Sequence, residues 1–318
     1  MRYLRVVEDQ GRYVASLPET APPTPARGEV LIRVTASGVN RADLLQIAGR
    51  YPPPRGESEV LGLEVSGTLD ETGAPVCALL AGGGHAEYVA APVGQVFPAP
   101  ADVDLVAAAG IPEAFLTAFV NLIVEGGLER DATVLVHAGA SGVGLAAIQV
   151  AKLSGARVAA TTRSADKRKA LEAVGVDLAI DTARQDFAAE IEGRWGRDAV
   201  DVVLDPVGTS SFAGDLRVLK TGGRIVILAT MSGSEAGLDL ALLMRKRARI
   251  VGSTLRARSR AEKAALVTRF KEILPGFTDG ALRVVVDTVF PVARAAEAFQ
   301  RMRENRNVGK ILIAWRHD

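Results

Sequence analysis

Residues 137–144 read His137-Ala-Gly-Ala-Ser-Gly-Val-Gly144, after the apolar run Thr133–His137 and before the helical pattern Leu145–Ser154. Small residues at such a junction let the backbone approach a pyrophosphate, whose charge settles on free helix N–H groups and the positive end of the helix dipole. Gly144 would let the helix pack closely on the strand. The spacing is not a strict G-x-G-x-x-G, and the bare pattern fits a tight strand–helix turn that holds nothing. A strand before, a helix after and the βαβ unit around it favour a dinucleotide. Ser141, Gly142, Val143 and Gly144 are the residues expected to hold it.

The end of the next strand bears on which dinucleotide. An NAD site usually carries Asp or Glu about 20 residues beyond the glycine turn, bonded to the ribose 2′-hydroxyl. Here Thr162 takes that place, followed by Arg163, Ser164, Lys167 and Arg168. Hydroxyls and cations suit a 2′-phosphate, which a carboxylate would repel, so NADPH is the better fit. The alternative is that Lys167 and Arg168 are a solvated helix start, with Asp166 as a capping acid. Asp205-Pro-Val-Gly208 and Leu228-Ala-Thr-Met-Ser-Gly233 close two later strands, where open α/β sheets bind ligands, although either could be an ordinary turn.

These residues need a scaffold, and the chain spells one. Strand-like runs at Thr133–His137, Arg157–Thr162, Asp177–Ile180, Val200–Asp205, Gly223–Leu228 and Arg249–Ser253 alternate with helix-like segments at Gly142–Ser154, Ala165–Val174, Phe187–Arg194, Ser210–Leu219 and Asp239–Lys246. That is the pattern of a doubly wound parallel sheet. The first hundred residues differ, with short β-branched runs such as Val30–Thr35 and Val60–Ser66 joined by turns. The stiff loop Gly49-Arg-Tyr-Pro-Pro-Pro54 stands out among them. After the alternation come an amphipathic Ala261–Leu274, a strand Val284–Phe290, a charged helix Ala293–Asn305 and a strand Gly309–Trp315. The last strand is expected to return to the N-terminal domain. The organisation expected is a catalytic domain of residues 1–112 and 254–318, with a dinucleotide domain inserted at 113–253.

Composition narrows the function classes. A net charge of +1 gives no global field toward nucleic acid or anionic membrane. Basic and aromatic residues do not interleave as they do in RNA binders. A single cysteine, Cys77, excludes an internal disulfide framework and a cysteine-rich zinc site, and fits a reducing compartment. No signal-peptide core and no bilayer-length apolar run are present, so the expected location is cytoplasmic.

Asn40-Arg-Ala-Asp43, Gly49–Pro54, Leu61-Gly-Leu-Glu-Val-Ser-Gly67, Ile111-Pro-Glu-Ala-Phe-Leu-Thr-Ala118, Ala138–Gly144, Leu243-Met-Arg-Lys-Arg247, Ser253-Thr-Leu-Arg-Ala-Arg258 and Asn307-Val-Gly-Lys-Ile311 occur in that order. Together they resemble the zinc-free quinone oxidoreductase branch of the medium-chain dehydrogenase/reductase superfamily. The likeness is greatest to the group typified by the tumour-suppressor-inducible NADPH quinone oxidoreductase, and runs from about residue 28 to 315. The resemblance implies a GroES-like, mainly-β catalytic domain beside a Rossmann cofactor domain, an active site in the cleft between them, and a homodimer. Carried over position by position, it implies that Thr117 faces the nicotinamide, that Ala229, Thr230, Met231 and Leu255 line its pocket, and that Asn307 closes over the cofactor. Tyr51 matches the aromatic beside the substrate. Arg249–Ser253 is the expected pairing edge of the dimer.

Zinc relatives place Cys where Asn40 stands and His where Leu63 stands, and neither replacement is a useful zinc ligand. His85 and His137 lack partners at ligand spacing, and His137 reads as a hydrogen-bonded core residue. Three departures weaken transfer of substrate detail: no Tyr in Ile180-Asp-Thr182, Leu45 where some relatives have Tyr, and a short loop between Gly67 and Val76.

Without a metal to polarise an alcohol, hydride transfer needs an acceptor that is already electrophilic, a quinone or a conjugated enone. Tyr51 and Asn40 are the candidates to meet the developing oxyanion, with Asp43 beside them. Asn-x-x-Asp at a strand–helix junction also fits a helix start with an acid in its first turn. Tyr51 also fits a packed loop anchor. An enoyl-thioester or enone reductase shares the expected fold and cofactor, and a non-catalytic NADPH-binding scaffold is the remaining alternative.

Overall fold

In the computed structural model, which describes residues 1–315, the strongest periodic signal becomes a six-stranded, wholly parallel sheet. Its spatial order is Leu178–Asp181, Arg157–Thr162, Thr133–Val136, Val200–Asp205, Leu219–Ile227 and Arg249–Gly252. In chain order that is 3-2-1-4-5-6, the doubly wound arrangement. The central strands are buried on both faces, which is why they read as unbroken apolar runs. Helices Gly142–Leu153, Ala165–Ala173, Phe187–Trp195, Phe212–Val218 and Leu240–Lys246 alternate with the strands.

The chain divides into two compact units, one of Thr117–Thr254, the other of Met1–Leu116 with the segment from Leu255 onward. The second unit is built on a seven-stranded sheet. Its path runs Val286–Pro291, Lys310–Ala314, Glu29–Val39, Glu64–Leu69, Pro75–Leu79 and Val96–Pro98, with Tyr88–Pro92 also on Glu29–Val39. The last strand does return to the N-terminal sheet: Ile311 to Ala314 pair antiparallel with Val39 to Ala36. A GroES-like mainly-β unit and a Rossmann-like unit make up the α/β fold. Each has its own apolar core, one around Ile32, Val65, Phe299 and Ile313, the other around Leu135, Ile191, Val203 and Ile225.

Two of the element boundaries that differ from the sequence reading have a local cause in a glycine. The strand expected from Val60 begins at Glu64, because Gly62 turns the chain at φ +103°. Its N–H is thereby aimed at Asp43 Oδ1, 3.1 Å away. The strand expected from Gly223 begins at Leu219, where the previous helix was expected to end. Val200 pairs with Leu219 and Val202 with Arg224, so the intervening residues bulge out around Gly222, at φ +84°.

Candidate functional site

In the parallel-sheet unit the expected cofactor residues gather at one edge. The turn after Thr133–Val136 carries Ser141, whose hydroxyl accepts the Gly144 N–H at 2.9 Å and caps a helix of 12 residues. The N–H groups of Gly142 and Val143 have no hydrogen-bond partner among the described residues. A Cβ on Gly144 would stand 2.5 Å from Ala138 O and 2.6 Å from Gly139 O, so only glycine permits this turn. These two features make a cradle that fits a pyrophosphate. Thr162 ends the neighbouring strand, and Arg163, Ser164 and Lys167 follow at the start of the next helix. Arg168 leans toward Glu172, 3.5 Å away.

Ala229, Thr230 and Met231 follow Leu219–Ile227 at the same carboxyl edge. They are tied to the Asp205-Pro-Val-Gly208 turn: Met231 N–H donates to Pro206 O at 3.2 Å and Ser232 N–H to Val207 O at 2.8 Å. Asp205 holds that turn from below, accepting from the N–H groups of Val207 (2.6 Å) and Gly208 (3.1 Å) and from Ser211 Oγ (3.0 Å). Thr117, 7% exposed, belongs to this unit. Leu255 and Asn307, both buried, belong to the other. His137 is a core residue, with its ring nitrogens 3.0 Å from Thr161 Oγ1 and 2.7 Å from Asp215 Oδ1.

In the mixed-sheet unit a buried polar cluster surrounds Asn40. Lys310, at the start of the last strand, donates to Asn40 Oδ1 at 2.8 Å, to Glu64 Oε1, and to Val39 O at 3.4 Å. Asn40 Nδ2 donates to Glu64 Oε1 at 2.9 Å and to Gly38 O at 3.2 Å. Both amide hydrogens of Asn40 are thus spent inside the protein. Glu64 Oε2 accepts the Glu113 N–H at 2.8 Å. Gly38 makes room for this carboxylate, since a Cβ there would lie 2.2 Å from Glu64 Oε1. A buried carboxylate with an ammonium and further N–H donors is satisfied where an isolated one would not be.

Asp43 has no exposed surface and accepts the N–H of Asn40 at 2.7 Å and of Gly62 at 3.1 Å. This is the arrangement of an acid closing a helix start. Behind it, His85 Nε2 lies 3.6 Å from Asp43, and His85 Nδ1 lies 2.8 Å from Ser37 Oγ, which accepts Trp315 Nε1–H at 3.1 Å.

Tyr51 is held from its backbone side. Arg256, 4% exposed, donates to Tyr51 O (3.1 Å), Ala81 O (2.8 Å) and Gln46 Oε1 (2.6 Å), and its guanidinium carbon lies 5.2 Å from the Tyr51 ring centre. Proline stiffness and this clamp fix the ring, while its hydroxyl has no hydrogen-bond partner among the described residues. Burial, and then the nearby charge of Glu113, raise the phenol above its usual pKa.

Sequence reasoning missed Lys310, Arg256 and Glu113, although all three lie in the blocks that carried the resemblance. The available signal was charge out of place: a lysine opening the apolar strand Lys310–Ala314 and a glutamate inside Ile111–Ala118.

Comparison with known proteins agrees with this architecture. Residues 26–101 match the alcohol dehydrogenase GroES-like domain, and residues 142–272 match the zinc-binding dehydrogenase family. The spectinabilin polyketide synthase system protein NorB of Streptomyces orinoci is 34% identical over 94% of this chain, which spans only 14% of that protein's length. The mouse synaptic vesicle membrane protein VAT-1 homolog is 30% identical over 92% of this chain and 78% of its own. The quinone oxidoreductase of Thermus thermophilus, solved also in complex with NADPH, superposes with a TM-score of 0.84 at 32% identity, covering 99% of this chain and 100% of that one. Two family matches in tandem and full-length likeness at these identities place the chain among the oxidoreductases of the medium-chain dehydrogenase/reductase superfamily.

Proposed function

We propose that this chain is an NADPH-dependent reductase of quinones or related conjugated carbonyls, working without a metal in the cytoplasm as a homodimer. The observation that carries this reading is the Lys310–Asn40–Glu64 cluster. At the position where zinc relatives have a cysteine, the amide oxygen of Asn40 already receives an ammonium, and Leu63 is buried. Nothing in this arrangement polarises an alcohol oxygen, so the acceptor must be electrophilic beforehand.

The glycine turn and helix N-terminus would hold the pyrophosphate. Thr162, Arg163, Ser164 and Lys167 would favour a 2′-phosphate. The bound reduced nicotinamide supplies a hydride. The protein's own part is to orient both reactants and meet the negative charge that grows on the acceptor oxygen. With its amide hydrogens committed and Asp43 enclosed, Asn40 and Asp43 shape the site, and Tyr51 is left as the donor. Its ring would stack on a planar acceptor while its hydroxyl meets the oxygen. For assembly, the outermost strand Arg249–Gly252 offers a free edge with Ile250 36% exposed, near the exposed Leu240 and Met244 in sequence.

The test is NADPH consumption against ortho-quinones, para-quinones, enones and enoyl thioesters, with elemental analysis of the same sample. Quinone or enone turnover by protein lacking stoichiometric zinc is expected. Activity confined to enoyl thioesters would select the neighbouring reductase class. Cofactor binding with no turnover would identify a scaffold. One zinc per chain, with activity lost to chelator, would overturn the metal-free assignment.

A further inference from the structure

The hydride transfer leaves unused a buried ionisable pair at the root of the glycine turn. His137, 3% exposed, is the residue before Ala138, and its Nε2 lies 2.7 Å from Oδ1 of Asp215, which has no exposed surface. The other ring nitrogen, Nδ1, lies 3.0 Å from Thr161 Oγ1. Thr161 is bonded to the turn itself, its carbonyl accepting the Gly139 N–H at 2.8 Å. On the far side Asp215 N–H donates to Ser211 O at 3.0 Å. Ser211 Oγ donates at 3.0 Å to Asp205, the carboxylate that holds the Pro206–Gly208 turn. One chain of hydrogen bonds therefore joins the ends of three strands at the carboxyl edge of the sheet.

The turn needs such support. Ala138 has φ +50°, in the left-handed region that a Cβ disfavours, and strain of this kind persists only where the surroundings over-determine it. A carboxylate only accepts, so His137 Nε2 carries a hydrogen toward Asp215. When the ring is charged, Nδ1 also donates, to the Thr161 hydroxyl. Burial works against the charged ring, but the Asp215 carboxylate outweighs it and Asp205 adds to the effect, so His137 holds its proton more tightly than usual. Burial pushes the Asp215 carboxyl up to about 6, with the charge of His137 opposing the rise and Asp205 adding to it. Asp215 Oδ2 is buried and has no hydrogen-bond partner among the described residues, so His137 is what compensates this carboxylate. The acids facing the ring are thus Asp215 and Asp205, and its other neighbours are Thr161 and the edge-on ring of Phe187, 4.8 Å between centres.

We propose that His137 is a positioning residue for the cofactor: gripped by Asp215, it locks Thr161 and the strained turn in the form that presents the Gly142 and Val143 N–H groups to a pyrophosphate. The inference rests on the dinucleotide reading of that turn and deepens it. His137 meets no cofactor atom in this scheme and acts through Thr161. Charge-assisted hydrogen bonds are the stronger ones, so the grip loosens as the ring loses its proton. Cofactor affinity then falls as pH rises through the His137 pKa, and by linkage bound cofactor raises that pKa.

The experiment is titration calorimetry of the full chain with NADPH and with NADH across the neutral and alkaline range, joined to ¹⁵N NMR of the His137 ring. NADH carries no 2′-phosphate, so its pH profile reports the protein's own groups. Wild type should bind NADH about tenfold more weakly once His137 is neutral, the difference between a charge-assisted and a neutral hydrogen bond. The ring should titrate above its ordinary 6.5 and move higher when NADPH is saturating. Asp215→Asn keeps an acceptor for Nε2 and removes the charge, so it should lower the His137 pKa, weaken NADPH about tenfold at neutral pH and flatten the NADH profile. Thr161→Val cuts the link to the turn and should weaken NADPH by a similar factor. A flat wild-type profile, or a His137 titration unmoved by saturating NADPH, overturns the proposal even if no variant folds. An alkaline fall that Asp215→Asn retains belongs to another group and overturns it too, as does wild-type NADPH affinity in both variants. A wild type that binds neither cofactor overturns the dinucleotide reading and the role of His137 with it, a distinct result.

Discussion

In the parallel-sheet unit the groups offered to a ligand are backbone N–H groups and a short cationic loop, set by turns at strand ends. In the mixed-sheet unit they are side chains brought together from far apart: Asn40 meets Lys310 across 270 positions and Glu64 meets it across 246. The difference has an energetic consequence. Peptide dipoles at a helix start carry no net charge, so a phosphate cradle adds little cost to the fold. Buried ionic side chains must be paired within the protein before they can serve anything else. The first unit should therefore lose ligand affinity when its site is altered, and the second should lose stability.

The sharpest break of that contrast is Lys310→Met. It leaves the Glu64 carboxylate buried beside only N–H donors, at an expected cost of about 3–5 kcal/mol. Urea unfolding measures it, and adding Glu64→Gln should recover most of the loss. A cost under about 1 kcal/mol would mean that the cluster is solvated and does not hold the unit together.

Glu113 supplies the next largest effect, with its sign fixed by burial. Its folded pKa of about 8 lies above the ordinary 4.5, so the folded state binds the proton more tightly. The resulting stability is complete below about pH 4.5 and is lost as pH rises toward 8. This one group should tilt stability downward by about 1.4 kcal/mol per pH unit across that window. Glu113→Gln should flatten the tilt and leave the protein more stable than wild type at pH 8, as read from urea unfolding across that window.

Gly144→Ala probes the other unit. The added methyl would meet backbone oxygens that cannot swing away, for about 1–3 kcal/mol of destabilisation. Titration calorimetry should show cofactor affinity falling well beyond what that stability loss explains. Parallel loss of both would make the turn a packing device only.

The same contrast governs what the sequence revealed. The parallel sheet was legible because each strand is a continuous apolar run and each helix follows at once, so local pattern and topology agree. The glycine turn was legible for the same reason. The Lys310–Glu64–Asn40 cluster was not, because nothing local to Lys310 announces a carboxylate on another strand. The Asp43 environment was half legible: helix-start acid and substrate contact were both open, and complete burial with two N–H donors fits the first. Gly62 misled the strand boundary, because its positive φ interrupts a run whose side chains all read as β-forming.

Arg163→Ala and Lys167→Ala test whether the cationic loop discriminates cofactors. A charge-assisted bond to a 2′-phosphate contributes about 1.5–3 kcal/mol, roughly one to two decades in affinity. Each variant should weaken NADPH by that amount and leave NADH nearly untouched. Equal weakening of both, or a wild-type preference for NADH, would return the loop to the status of a solvated helix start.

The smallest expected effect is the most specific. Tyr51→Phe keeps the ring and the backbone carbonyl that Arg256 grips at 3.1 Å, and removes only the hydroxyl. Because that hydroxyl bonds to no described residue, its loss should cost no stability, unlike Lys310→Met. If the hydroxyl meets charge developing on the acceptor, kcat and kcat/KM should fall together, by about tenfold for the loss of one neutral hydrogen bond, with NADPH affinity unchanged. Tyr51→Ala should add a rise in acceptor KM, because the stacking face goes too. Should Tyr51→Phe be silent while Tyr51→Ala raises KM, the ring positions the acceptor and the proton comes from water. Damage confined to NADPH binding or to thermal stability would end the case for Tyr51 as an acceptor contact.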